Sequence, residues 1–433
     1  MLAKFLQSVH VPHHKNTKYS VPVRFLDVKT VTIPMSMHIG APAKPCVKPG
    51  DHVKIGTLIG EAGGFVSAPV HASVSGTVKR IEDMLMSNGG SCQAVVIESD
   101  GLNEFDENLK APEITDFDSF IQAVRDSGAV GLGGAGFPTS VKLKVDPARV
   151  DYILINGAEC EPYITSDTHS MVHHPERILA GLKALRRFYP KAQIYVGIEN
   201  NKPEAIEVMK TYTHELERCE VKPLPSSYPQ GGEKVLIYNT TGRIVPEGKL
   251  PIDAGCIVLN ATTISFIGKY LMTGQPLTTK SITIDGSAIA EPKNVIAFIG
   301  TSVKDLLEFA SGFKEEPKKV LYGGPMMGIA IPDLDKPIMK STNAILAFNE
   351  KDAVLPEPTA CIHCGRCVDA CPLNLMPTEM EHACEKKDYD ALKKLKVNLC
   401  MECGSCSFVC PAKRNLVESH KLAKQLLREA GIR

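Results

Sequence analysis

The rhythm of polar and apolar positions changes several times along the chain. From Val31 to about Ser99, short β-branched runs are broken at Pro49-Gly50, Gly63-Gly64 and Gly76, and no helical period develops. That punctuation predicts short strands joined by tight turns. Between 116 and 127 Phe117, Phe120, Ile121 and Val124 recur on one helical face, and Gly128 ends the run. YILING at 152–157, a helix at about 174–188, the strand QIYVGIE, a helix from Pro203 and a strand near 219–223 then alternate. Such alternation predicts an α/β layer on a mainly parallel sheet. SITIDGSAI, VIAFIGTSVKDLLEFA and KKVLYGGPMMG, around 280–330, predict a small β-rich unit with one helix. GGPMMG reads as a tight turn packing methionines or, alternatively, as a phosphate loop. LAFNEKDAVLPEPTA at 346–360 reads as a linker, and the remainder as helices around cysteines.

Composition narrows the function classes. Lysine plus arginine equals aspartate plus glutamate at 49 each, and tryptophan is absent. A chain without basic excess or stacking aromatics is not built to bind nucleic acid. The best apolar run, AGCIVLNATTISFIG at 254–268, is too short to cross a bilayer. The N-terminus lacks the apolar stretch of a signal peptide, so a cytoplasmic location is expected. His13, His14 and Lys15 form a basic N-terminal arm to which the sequence assigns no role.

Of the 14 cysteines, eight make two runs, CIHCGRCVDACP at 361–372 and CMECGSCSFVCP at 400–411. The other six (46, 92, 160, 219, 256 and 384) are scattered. Both runs fit C-x₂-C-x₂-C-x₃-C-P, in which the fourth cysteine serves the other cluster. The expected sets are Cys361, Cys364, Cys367 and Cys410 for one [4Fe-4S] cluster, and Cys400, Cys403, Cys406 and Cys371 for the second. Three closely spaced cysteines would wrap one cluster while the fourth starts a helix aimed away. Two zinc sites are the alternative, but zinc sites usually use cysteine pairs rather than full quartets ending in proline.

GLGGAGFPTS at 131–140 is a dense glycine loop. A Rossmann loop follows a strand and opens a helix. These glycines follow a helix, and FPTSVKLKV does not read as the opening of another. Instead GLGGAGFPTSVK resembles the flavin loop of the NADH-oxidising subunit of respiratory complex I. NGAECEP at 156–162, YPQGGEK at 228–234 and LNATT at 259–263 resemble further motifs of that family, in the same order. The resemblance implies FMN held by Gly131, Gly133, Gly134, Gly136, Lys142, Asn156, Glu159, Tyr228, Gly231, Asn260 and Thr263. It implies Phe137, Glu161 and Glu233 near NAD(H). Leu132, Ala158 and Gly232 depart from the pattern, standing where that family has arginine, aspartate and glutamate.

VKPGDHVKIG and APVHASVSG resemble the barrel-sandwich fold of biotinyl and lipoyl carriers, without the carrier lysine; His71 at that turn reads as structural. The 280–330 segment is similar to β-grasp modules. The whole chain resembles the RnfC family, from the Rnf complexes, membrane-bound ferredoxin:NAD⁺ oxidoreductases that pump Na⁺ or H⁺. The expected fold is therefore an α/β multidomain chain. Its parts are an N-terminal arm (1–30), a barrel-sandwich hybrid (31–101) and an FMN/NADH-binding α/β domain (112–275). A β-grasp module (276–345), the linker (346–360) and a helical double-[4Fe-4S] ferredoxin-like domain (361–433) follow. The resemblance implies two [4Fe-4S] clusters, FMN and NAD(H) as cofactors, and no catalytic side chain outside the cofactor site. It also implies integral membrane and iron–sulfur subunits as partners, ferredoxin reached through one of them, and a peripheral position on the cytoplasmic side of the membrane. A soluble flavin–iron–sulfur reductase, such as a cobalamin reductase, or a non-enzymatic electron-wire protein are the alternatives. Lys421, Lys424 and Arg428 on the last helix would face solvent, a membrane or an acidic partner.

Overall fold

The computed structural model describes residues 6–86 and 89–432. Between Thr30 and Ser99 the turn-rich segment forms two facing antiparallel sheets of four and three strands. Alternate residues point inward, so Val31, Ile33, Ile59, Val70, Val78, Val95 and Ile97 fill the space between them. The hairpin at which a carrier would bear its lysine is buried here: Ala68 and Ala72 are enclosed, and burial holds the His71 ring well below its usual pKa, at about 3. The ring is thus a neutral core group.

Four parallel strands follow, in spatial order Cys219–Leu224, Gln193–Glu199, Tyr152–Gly157, Cys256–Asn260. Helices Pro175–Phe188, Pro203–Thr213 and Ala261–Thr273 cover this sheet, and Ile153, Ile155, Ile178, Leu182, Ile194 and Ile264 make the shared core. The strand order reverses between Tyr152–Gly157 and Cys256–Asn260. In open parallel sheets the crevice beyond the strand ends at such a reversal is where ligands bind.

Beyond it, Thr279–Asp285 and Lys293–Phe298 belong to a six-stranded sheet. Two of its strands depart from the sequence reading. Ala344–Phe348, which overlaps the expected linker, is a fully buried strand between Thr279–Asp285 and Lys319–Tyr322. Its unbroken AILAF run is what a strand covered on both faces requires. Val23–Phe25, from the arm, adds a parallel edge strand to Lys293–Phe298. The helix Thr139–Leu143 also departs from expectation; at five residues it is too short to declare a period.

The C-terminal region is helical, with Met380, Leu392, Val397, Ala423 and Leu427 in its core. Cys384 is buried there, a packing thiol. The fourth cysteine of each run ends a short helix instead of starting one: Arg366–Asp369 stops before Cys371, and Cys410 caps Ser405–Val409. So few residues between the glycine and the next turn leave room for a single helical turn only. No helix among the described residues is long and apolar enough to cross a membrane.

Candidate functional site

At the strand reversal lies a cavity of about 590 Å³, within the size range of small-molecule and cofactor sites. Of the fourteen residues expected to hold flavin or nucleotide, all but Gly136 line it. Gly136 lies behind the loop, where its carbonyl accepts from the Ile39 amide of the barrel-sandwich module at 3.1 Å.

The glycine loop closes on itself through Gly131 N–H to the Phe137 carbonyl (2.9 Å). Between these ends Gly133, Gly134 and Ala135 are exposed along the cavity. A β-carbon on Gly133 would lie 2.5 Å from Nδ2 of Asn260, so a side chain there would displace a cavity-lining amide. Leu132 turns the other way and is buried in the barrel-sandwich core. Its backbone is fixed from both sides: its N–H donates to Oγ1 of Thr263 at 2.9 Å, and its carbonyl accepts from Nζ of Lys280 at 2.7 Å. An arginine at that position would have to leave the apolar core.

Opposite the loop, Asn156 donates through Nδ2 to the Gly231 carbonyl at 2.8 Å. Nζ of Lys142 donates to Oε1 of Glu233 (2.9 Å) and to the Val258 carbonyl (3.0 Å). Glu159 is buried and accepts from the amides of Asp167 and Thr168 and from the Thr168 hydroxyl. Burial raises its pKa, against the pull of nearby Lys15. Oε2 of Glu161 accepts from the Met326 amide at 3.1 Å, whereas its Oε1 is buried without a partner. Burial pushes this carboxyl up to about 7. An enclosed oxygen without a partner, beside an open cavity, suits a polar ligand.

Several lining residues carry no local sequence signal. Asp167 accepts from Nδ2 of Asn260 (2.7 Å) and from the Thr262 hydroxyl (2.6 Å) and adds a carboxylate to the cavity wall. Cys160 accepts from the Gly231 amide at 3.3 Å, and burial pushes its thiol up to about 12, so it stays neutral. GGPMMG, which the sequence offers as a tight turn or a phosphate loop, contributes Gly323, Gly324, Met327 and Gly328 to the wall, and Ser341, Thr342 and Asn343 extend it without any such signal. No local spacing could show that this second module folds over the site.

Met401, between the first two cysteines of the second run, lines both this cavity and the next one. That neighbouring space is lined by Cys371, Cys400, Cys403 and Cys406, one of the two expected quartets. A β-carbon on Gly232 would lie 2.1 Å from Cε of Met401, so a side chain there would have to displace that methyl. Among the described residues no three His, Cys, Asp or Glu side chains converge as one metal ion requires. The donor set is all thiol, the chemistry of an iron–sulfur cluster. His420 is buried with Nδ1 3.6 Å from Sγ of Cys400. Lys424 turns inward to the Cys400 carbonyl and to Glu402, and Lys421 pairs with Glu418, so the expected basic stripe is not a free one. The other quartet is more open: Cys364 is exposed and Ile362 beside it is 67 % exposed.

The chain is 43 % identical to the C subunit of the Na(+)-translocating ferredoxin:NAD(+) oxidoreductase complex of Acetobacterium woodii, over 97 % of this chain and 96 % of that one. It belongs to the RnfC family of ion-translocating oxidoreductases. The proton-translocating counterpart of Clostridium ljungdahlii is 42 % identical, with 100 % and 96 % covered. The matching ion-translocating oxidoreductase protein of Rhodobacter capsulatus is 36 % identical, with 97 % and 82 % covered. The family described as RnfC Barrel sandwich hybrid domain matches residues 3–102, and Nuo51 FMN-binding domain matches 124–269. SLBB domain matches 281–330 and 4Fe-4S dicluster domain matches 360–414. This RnfC chain is thus a flavin and iron–sulfur protein, and the β-rich unit is its SLBB module.

Proposed function

We propose that this chain is the NADH/NAD⁺-reactive part of a ferredoxin:NAD⁺ oxidoreductase that couples electron transfer to Na⁺ or H⁺ translocation. FMN, when bound, supplies the exchange between a nicotinamide's electron pair and single electrons. Lys142 meets the flavin phosphate as a point charge, and the amides of Gly133 and Gly134 add donors. Asn156, Glu159, Tyr228, Gly231, Asn260 and Thr263 hold the remainder of the flavin, while Phe137, Glu161 and Glu233 face the nicotinamide nucleotide. The quartet Cys371, Cys400, Cys403 and Cys406 holds the cluster nearer the flavin, and Cys361, Cys364, Cys367 and Cys410 the outer one. Carrying this reading is the shared wall at Met401, where the glycine-loop cavity meets the second cysteine set. The exposed face at Cys364 and Ile362 suits electron exchange with another protein of a membrane complex, on its cytoplasmic side.

Anaerobically purified protein tests it. About one FMN and eight irons per chain, with flavin and clusters bleached by NADH, are the expected results. Protein without flavin, or flavin inert to NADH, refutes the enzymatic reading. Reduction of a cobalamin by the isolated chain would point to a soluble reductase instead.

A further inference from the structure

The arm that precedes the barrel-sandwich module does not lie free. It runs along the seam between the cysteine domain, the flavin cavity and the SLBB sheet. The Gln7 side chain lies against the carbonyls of Cys371 and Asp369, and with its amide turned so that nitrogen faces them it donates at 2.7 and 3.2 Å. Val9 and Tyr228 exchange backbone hydrogen bonds in both directions, each at 2.8 Å. His13 accepts through its carbonyl from the Tyr163 amide at 2.8 Å, and the His14 ring stacks on Tyr163. The Thr17 hydroxyl, wholly buried, lies 2.6 Å from that of Thr165.

At the centre of this path Nζ of Lys15 donates to three carbonyls, those of Glu159 (3.0 Å), Glu161 (2.8 Å) and Ile164. An ammonium has three donors, so the group is saturated by backbone acceptors alone. The segment it gathers carries two residues in the left-handed region, Glu159 at φ 49° and Tyr163 at φ 69°. Neither is glycine, so that turn is costly unless its surroundings impose it. The same segment supplies the Glu159, Cys160 and Glu161 side chains to the cavity wall.

We propose that the N-terminal arm is a strap that sets the floor of the flavin cavity, with Lys15 as the positioning residue of segment 159–164. The proposal rests on the flavin reading of the cavity for its functional consequence, but not for the strap itself. By one residue's three bonds, the arm holds the carboxylates of Glu159 and Glu161 at a fixed depth. By Gln7 and Val9, it ties that floor to the loop of the nearer cluster. Nζ of Lys15, on a half-buried side chain, faces Glu159, Glu161, Glu199 and Cys160 and is opposed by Lys202, and burial pulls its pKa below the ordinary lysine value.

Full-length, anaerobically prepared protein is compared with Lys15→Met by hydrogen–deuterium exchange, with and without added FMN. Amides of 158–165 are expected to exchange about tenfold faster or more in the variant, since three charge-assisted bonds are lost, while strand 193–199 is unchanged. The Kd for FMN is expected to rise about tenfold or more, and the flavin midpoint potential to move down as a nearby positive charge is removed. Lys15→Gln, shorter and neutral, is expected to show the same pattern more weakly and serves if Lys15→Met does not fold. Unchanged exchange over 158–165 in a folded variant overturns the strap. Faster exchange there with no change in FMN affinity or potential removes its link to the flavin. Unmodified protein that binds no FMN refutes the flavin reading, and the exchange comparison still decides on the strap.

Discussion

The phenol of Tyr228 donates to the carbonyl of Cys403 at 2.7 Å, joining the wall of the glycine-loop cavity to the loop of a cysteine quartet. Tyr228 is 1 % exposed and its partner is buried, so neither group has water as a substitute. Tyr228→Phe leaves that carbonyl unpaired, at a cost of about 1–3 kcal/mol. Because the hydroxyl is spent on Cys403 and phenylalanine keeps the ring in the cavity wall, the expected outcome is normal flavin content and flavin reduction by NADH, with slower passage of electrons to the clusters and faster loss of iron on heating. Stopped-flow absorbance under anaerobic conditions separates the two steps; equal rates in both proteins would remove any role for this contact.

Gly232 and Met401 form a second joint across the same boundary. Because a β-carbon at 232 meets Cε of Met401 at 2.1 Å and the Pro229 carbonyl at 3.1 Å, Gly232→Ala forces the end of the methionine side chain aside. Overpacking of this kind costs about 1–3 kcal/mol. Met401 ends in a flexible thioether, so Met401→Ala makes space and the double variant is expected to recover most of the loss. Thermal midpoints of the four proteins give the coupling directly, and purely additive losses would refute the contact.

The Glu161 carboxyl, raised from its ordinary 4.5 to about 7 by burial, makes stability depend on pH. Between those values the unfolded chain has released the proton while the folded one retains it. Stability is therefore highest below 4.5 and falls as pH rises towards 7. Glu161→Gln keeps the acceptor for the Met326 amide and removes the titration. In flavin-free protein it is expected to flatten the pH profile between about 5 and 7. It should add on the order of 1–3 kcal/mol at about pH 8 relative to the unaltered chain. Parallel profiles for the two proteins would place the titration elsewhere.

How much of this can be read from the sequence depends on whether the signal is local. Phe117, Phe120, Ile121 and Val124 announce their helix because one element carries the whole pattern, and the cysteine quartets announce themselves by spacing. The same holds for the glycine loop and the Asn156, Tyr228 and Asn260 segments, which carry enough residues each to resemble a known site. Lys15 and Met401 are not legible as site residues, because their meaning comes from chain segments far away in sequence; the Gly323–Gly328 turn is legible as a candidate loop, but not as a wall of this cavity. Leu132 and Gly232, which read as losses against the flavin-domain pattern, are accommodations. One fills a core that belongs to another module, and the other clears a path for Met401. Ala344–Phe348 is easily merged with a linker because polar and proline-rich text follows it directly, although its own five residues are uniformly apolar.

Lys142 separates phosphate recognition from ring recognition. Its ammonium stands between Glu233 and the Val258 carbonyl, about one-third exposed and facing the cavity. If it meets the flavin phosphate, Lys142→Met is expected to weaken FMN by about tenfold to a hundredfold, as for a charge-assisted bond. Riboflavin, without a phosphate, should bind both proteins alike. Fluorescence titration of apoprotein with each flavin measures this. An equal loss for both ligands would mean that the lysine only supports the fold through Glu233.

The two quartets should differ in what their removal does. Met401 and Tyr228 connect the flavin cavity to Cys371, Cys400, Cys403 and Cys406, whereas Cys364 stands at the surface. Electrons from NADH would then reach the inner cluster first. Cys364→Ala is expected to lose the outer cluster while NADH still reduces the inner one in a single turnover. Cys406→Ala removes a buried ligand of the inner set, and NADH should then bleach the flavin while any surviving outer cluster stays oxidised on that timescale. Iron content fixes which cluster each variant has lost, and freeze-quenched electron paramagnetic resonance reads which one is reduced. If each fourth cysteine crosses to the other set, as proposed, Cys371 and Cys410 are unsuitable for this comparison, since altering either would disturb both clusters. Rapid reduction of the outer cluster in Cys406→Ala would reverse the order, and would mean that the contacts at Met401 and Tyr228 hold the domains together without marking the route.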